Sequence, residues 1–255
     1  VELRMSFFPV VQGSLQGSVL RGEKIVIRIF DPNKRSFNLD DLGLEADTLA
    51  SLKQLLSKPS GMILLTGPTG SGKTTAIYAA LTHLAEKHGS TISISTVEDP
   101  VEYNLPMISQ AQIHHAKEFT YPVALRSLMR QDPQVIMVGE IRDAETANIA
   151  VQAGLTGHLV ISTIHSSSTA GVFARMINMH IEPFLLASSV IGILGLRLIR
   201  NNCASCAMPY QPEPGYMKLI PSDRVEDASL RQGGGCEHCV MTGFGGRISV
   251  TEMLE

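Results

Sequence analysis

The 255-residue sequence has no tryptophan, and few aromatics of any kind, at 5%. The missing tryptophan excludes nothing by itself, but no basic groove interleaved with aromatics is present to stack single-stranded nucleic acid. An excess of one charge is missing too: 21 Lys and Arg against 24 Asp and Glu leave a net charge of −3. Such a balance provides no global attraction to nucleic acid or to anionic lipid. No apolar run reaches the roughly 20 residues of a spanning helix. The nearest, 181–198, is interrupted by Glu182, Pro183, Arg197 and serines, and reads as a buried helix. No signal segment precedes the first strand, so the sequence reads as soluble and cytoplasmic. It opens at Val1 without an initiator methionine and closes on Met253-Leu254-Glu255 inside a regular stretch, so both ends read as cuts in a longer polypeptide.

What is present is a globular composition, 44% hydrophobic and 18% charged, long enough to bury a sizeable core. Four stretches follow one another. Residues 1–32 read as strands at 3–11 and 24–30 around a loop rich in Gly, Ser and Gln. Residues 33–60 read as a linker and a helix. From 61 to 200 short apolar runs at 62–66, 91–97, 135–138 and 159–163 alternate with helical segments, the first at 73–87. This alternation predicts a mostly parallel α/β sheet. From 201 to 255 the pattern breaks into a segment punctuated by Cys, Pro and Gly.

The run at 62–66 leads into Gly67-Pro68-Thr69-Gly70-Ser71-Gly72-Lys73-Thr74, with Thr75 next. This is the full G-x-x-x-x-G-K-[ST] phosphate loop, with strand before and helix after. Its glycines let several backbone N–H groups face one set of phosphate oxygens at the positive end of the helix. Lys73 is placed to reach the β- and γ-phosphates of ATP, and the Thr74 hydroxyl to ligate Mg²⁺.

Other polar residues follow the carboxyl ends of the remaining strands, where an open parallel sheet places its ligand. The run at 91–97 leads into Glu98-Asp99-Pro100-Val101-Glu102, 135–138 into Gly139-Glu140, and 159–163 into Ile164-His165. Acidic residues there also serve as helix caps, but convergence on one edge points to a shared site. His165 is the candidate for the γ-phosphate. His158 precedes its strand, roughly 20 Å away at the opposite edge, and reads as structural or interfacial. Gly139 stands where a metal-binding Asp usually sits. Glu140 is therefore assigned to metal or water organisation and Glu102 to the attacking water, two roles that sequence alone leaves exchangeable. Arg126 and Arg130, four apart on a helix expected at 122–131, share one face; they suit either phosphate recognition or a solvated surface.

All four cysteines fall in two pairs, Cys203-x-x-Cys206 and Cys236-x-x-Cys239. Tetrahedral Zn²⁺ coordination by thiolates has this spacing, whereas two disulfides would require an oxidising compartment. His238 reads as a bystander.

Together these motifs resemble the secretion ATPases of type II secretion and type IV pilus assembly, the GspE/PilB group. The phosphate loop is similar to theirs. Thr96-Val97-Glu98-Asp99-Pro100-Val101-Glu102-Tyr103 resembles their Asp box, Val138-Gly139-Glu140-Ile141-Arg142-Asp143 their Walker B, and the stretch from Gly157-His158 to His165 their His box. The segment 125–133 is similar to one bearing two phosphate-reading arginines, and Arg4 and Arg28 fall where another arginine pair does. The resemblance implies a RecA-like ATPase domain preceded by a PAS-like domain, of which residues 1–32 would be the last part. It further implies a homo-hexameric ring with ATP bound between the two domains, working on an inner-membrane platform protein from the cytoplasmic side. The four-cysteine element implies assembly or secretion rather than retraction, and no nucleic-acid partner is expected.

Overall fold

The computed structural model describes residues 2–13, 19–30, 37–212, 214–217 and 230–255. The chain divides into two units, Val1–Phe37 and Asn38–Glu255. In the first, β1 (Glu2–Gly13) and β2 (Val19–Phe30) form an antiparallel pair. Both strands reach further into the expected loop than composition suggests. Leu3, Met5 and Phe7 lie opposite Ile29, Ile27 and Ile25, so alternation gathers six large apolar residues on one face, all exposed. Arg4 and Arg28 are direct partners in the same register; their side chains, like the loop residues 14–18, lie outside what is described.

The second unit is built on a seven-stranded sheet. Its strands are β3 (Gly61–Thr66), β4 (Ile94–Glu98), β5 (Ser109–Gln112), β6 (Val135–Val138), β7 (Leu159–Ile164), β8 (Val190–Asn202) and, beyond the short pair β9 (Ala207–Pro209) and β10 (Arg231–Gly233), β11 (Phe244–Leu254). Their spatial order is β11-β8-β3-β7-β6-β4-β5. All neighbours are parallel except β11, which runs antiparallel to β8. Every residue of β3, β4, β6 and β7 is buried, as expected of strands covered on both faces and written as unbroken apolar runs. The helices are α1 (Ala46–Leu56), α2 (Lys73–His88), α3 (Tyr121–Leu128), α4 (Ala144–Leu155), α5 (Thr169–Asn178) and α6 (Pro183–Ser189). Among the described residues no helix is long and apolar enough to cross a membrane.

Three expectations are corrected. The stretch 181–198 is not one helix: it turns from α6 into β8 at Val190. A continuous apolar run does not distinguish a buried helix from a buried strand. Here the β-branched Val190, Ile191 and Ile193 favour the strand, and the ladder to β3 holds it. Gly192 makes room for Leu55, whose Cδ1 would otherwise stand 2.3 Å from a Cβ. The strand expected from 91 begins at Ile94, since Gly89–Thr91 forms a 3-10 turn. The helix expected to reach 131 ends at Leu128, leaving Arg130 in the turn beyond it.

The parallel register sets the ends of four strands side by side. Thr66 pairs with Ile164, Val138 with Ser162 and Val97 with Val138. The residues that follow β3, β4, β6 and β7 therefore emerge along one edge of the sheet.

Candidate active site

The phosphate loop leaves β3 at Thr66, whose hydroxyl donates to Ser166 O (3.1 Å) and accepts from Ser166 N–H (3.0 Å), tying it to the chain after β7. Gly67, Gly70 and Gly72 have φ of 144°, 77° and 93°, a region that side chains disfavour. At Gly67 space forbids one as well, since a Cβ would lie 2.3 Å from Leu196 O. The helices α4 and α5 begin with side-chain caps, Asp143 accepting from Thr146 N–H and Ser168 from Gly171 N–H. Helix α2 has no such cap; Gly72 occupies the position. The same is true of α1, α3 and α6, but only α2 follows a glycine-rich loop, and its N-terminal end is where an anion is favoured. The Ser71 hydroxyl is buried without a hydrogen-bond partner, so the loop retains unused polar capacity of the kind a phosphate takes up. Lys73 Nζ donates to Gly67 O (2.8 Å) and Pro68 O (2.9 Å). Burial lowers its pKa while the Glu140 charge opposes the shift.

Glu140, just past β6, is largely buried. One carboxylate oxygen lies 3.2 Å from His165 Nε2, the other 2.7 Å from the Arg142 guanidinium. Glu140 and His165, assigned separately from sequence, are thus in direct contact. Gly139 has a steric explanation: a Cβ there would meet Tyr121 Oη at 2.8 Å and Val97 O at 3.3 Å. The usual aspartate would be crowded here. Gly139→Asp is accordingly expected to destabilise the fold by about 1–3 kcal/mol, the range for overpacking a filled site. Denaturant melts of the two proteins check this.

Glu102 lies on the loop after β4. Its N–H donates to Tyr78 Oη (3.2 Å), on α2. Arg126 and Arg130 sit on the opposite side of β6 in sequence, and their guanidinium groups are engaged within α3 and α4: Arg126 pairs with Glu145 (2.6 Å), and Arg130 donates to Arg126 O (2.8 Å). His158 stays at the far edge, where its carbonyl accepts from Gly61 N–H and its ring contacts Ala153 O.

The four cysteines converge, their sulfurs all within 4.8 Å of one another. Cys203–Cys236, Cys206–Cys239 and Cys236–Cys239 have sulfurs 3.7–4.0 Å apart. Tetrahedral thiolates at about 2.3 Å from zinc are about 3.8 Å from each other, whereas a disulfide needs about 2.05 Å. The donor set fits zinc. Burial works against a thiolate at Cys239, but N–H groups of Cys236 and Gly243, each 3.2 Å from its sulfur, together with the Cys236 and Cys206 side chains, lower its pKa.

Sequence reasoning passed over Arg142, Arg197 and the residues that hold the Glu102 loop. Arg142 sits two residues after Glu140, a spacing that carries no pattern. Arg197 donates to Ser167 O (3.1 Å) and lines a cleft with Thr66, Gly67, Leu196 and Glu252; only the strand β8, misread as helix, brings it there.

Comparison with known proteins agrees with this architecture. The type II secretion system protein E of Pseudomonas aeruginosa is 42% identical over 254 residues, covering all of this chain and 48% of the relative. The type IV pilus assembly ATPase PilB of Myxococcus xanthus is 42% identical over 238 residues, 92% of this chain and 42% of the relative. The chain thus spans about half the length of the curated relatives it matches. A crystal structure of the pilus retraction motor PilT with bound ADP superposes with a TM-score of 0.61 at 26% identity, over 87% of this chain and 68% of that one. The family model described as type II/IV secretion system protein matches residues 1–255, and the chain belongs to that family.

Proposed function

We infer that this chain is the ATP-hydrolysing part of a motor for type II secretion or type IV pilus assembly. The observation that carries the reading is the meeting, on one sheet edge, of a complete phosphate loop with the Glu140–His165 pair and the Glu102 loop. Secretion and pilus-assembly relatives support the cellular role. The core is read as RecA-like and spans residues 61–200.

In this reading Lys73 leaves Gly67 O and Pro68 O to bind the β- and γ-phosphates, replacing two neutral acceptors by charged ones. Thr74 and Glu140 are the residues that would hold Mg²⁺, directly or through water, and Thr75 belongs to the nucleotide-binding loop. When bound, the ion neutralises charge on the phosphates. His165, fixed by Glu140, donates toward the γ-phosphate. Glu102 takes the proton of the attacking water. Arg126 or Arg130, once Arg126 releases Glu145, helps complete the charge around the transferring group.

The N-terminal pair is read as the end of a PAS-like domain. An apolar face on only two strands does not support a fold alone. Six copies in a ring, pushing on an inner-membrane platform protein from the cytoplasmic side, is the assembly the resemblance implies. The test of motor class is phosphate release from ATP with and without DNA. Release indifferent to DNA supports a secretion motor; release only with DNA would reassign the chain to nucleic-acid translocation.

The cysteine element is read as a structural zinc site, since four thiolates leave no open position for a substrate. Metal analysis should find a single zinc per chain. Cys206→Ser should raise hydrogen exchange around residues 201–210 and 236–243 and leave nucleotide affinity unchanged. A reduced, chelator-free preparation without zinc would contradict the assignment.

A further inference from the structure

Four hydrogen bonds hold the main chain of the loop between β4 and β5. Gln112 Oε1 accepts from Val101 N–H (3.2 Å), Tyr78 Oη from Glu102 N–H (3.2 Å), and Gln110 Oε1 from Leu105 N–H (2.7 Å), while Gln110 Nε2 donates to Tyr103 O (3.0 Å). Behind these contacts lies Glu98, which is 4% exposed. One of its carboxylate oxygens accepts from the Tyr78 hydroxyl, in a short hydrogen bond, and the other from Thr96 Oγ1 (2.6 Å) and Gln110 Nε2 (3.0 Å). Both oxygens are used, and the group is enclosed. Glu98 is therefore an anchor rather than a base, although it stands in the same acidic stretch as Glu102.

Tyr78 occupies the centre of this arrangement. Fully buried, it lies five residues after Lys73 on α2, the helix that continues the phosphate loop. Its ring also meets that of Tyr103 edge to face, with centroids 6.3 Å apart. Burial and the Glu98 hydrogen bond both raise its pKa, so the hydroxyl keeps its proton and donates in one direction only. With that direction fixed, the oxygen accepts from the peptide N–H of Glu102. The geometry points to Tyr78 as a positioning residue. Its hydroxyl, anchored on Glu98, sets the backbone of Glu102 against the phosphate-loop helix, so that base and γ-phosphate keep a fixed separation. This inference rests on the reading of Glu102 as the base.

The consequence is a loss of rate without a loss of binding. A misplacement of about 1 Å at a reacting group costs on the order of 10²-fold in rate. Tyr78→Phe in the native protein is therefore expected to lower kcat roughly 10- to 100-fold, with KM and nucleotide affinity within about threefold of the parent. A structural role alone would not produce that split. A double-mutant cycle provides the second readout: in a Glu102→Gln background, Tyr78→Phe should cause no further loss, because the group it positions is gone. Wild-type kcat in Tyr78→Phe, a loss confined to KM, or the same fold-loss in both backgrounds would overturn the inference while leaving Glu102 as the base. Normal turnover in Glu102→Gln alone would remove the base reading, and the inference with it. If Tyr78→Phe does not fold, Gln110→Leu, which releases Tyr103 and Leu105 from the other side, carries the same expectations for kcat, KM and the cycle.

Discussion

Replacing Lys73 with alanine should abolish turnover and weaken ATP binding by about 100-fold or more. The size follows from what is removed. Hydrogen bonds to charged groups contribute about 1.5–3 kcal/mol each, and a hundredfold in affinity corresponds to about 2.7 kcal/mol. Lys73 is half-buried, held by Gly67 O and Pro68 O and close enough to Glu140 to feel its charge. Neither of those carbonyls can substitute for a cation at the phosphates. The lysine stem is short of partners in the core, and the buried residues of α2 begin at Ala76, so the fold itself should tolerate the change. Titration calorimetry with ATP checks the first part, and a melting curve separates lost binding from lost structure. Unchanged affinity in a folded variant would remove the phosphate loop from the account.

Glu102→Gln should behave differently. Binding should stay near normal, because no phosphate contact is assigned to Glu102, while turnover falls roughly 10²- to 10⁴-fold, as when a positioned base is lost. The substitution keeps the backbone N–H that Tyr78 accepts from, so the loop should remain in place. Glu140→Gln makes the contrast. It removes the charge shared with His165 and Arg142 and replaces one of the two accepting oxygens by an amide donor, and should disturb metal binding as well as rate. Normal turnover in Glu102→Gln beside an inactive Glu140→Gln that still binds Mg²⁺ would show the two roles reversed.

Most of this site was legible in the sequence for a physical reason. A parallel sheet forces its ligands to the carboxyl ends of the strands, and motifs that follow short apolar runs inherit that placement. Lys73, Glu140 and His165 needed only the strands at 61–66, 135–138 and 159–164 to be recognised. The four cysteines were legible because short-spaced pairs carry their geometry with them. What failed was local pattern without a period. The run from 181 to 198 is apolar in both its helical and its extended halves, and only the pairing of β8 with β3 decides between them. Arg197 was lost with it. Glu98 was hidden in another way: Glu98 and Glu102 look alike in sequence, and only burial and the three donors around Glu98 set it apart. The helix bearing Arg126 ends early, so the shared face expected for Arg126 and Arg130 became instead a bond from one arginine to the other's carbonyl.

The central claim is that the phosphate loop, Glu140–His165 and Glu102 form one hydrolytic site. Steady-state phosphate release from ATP by the native protein, run with and without Mg²⁺ and beside Lys73→Ala, tests it most directly. The account predicts release that requires the metal and disappears in the variant. Release that persists without Mg²⁺ or in Lys73→Ala, or no release from a protein that binds Mg²⁺ and ATP, would contradict it.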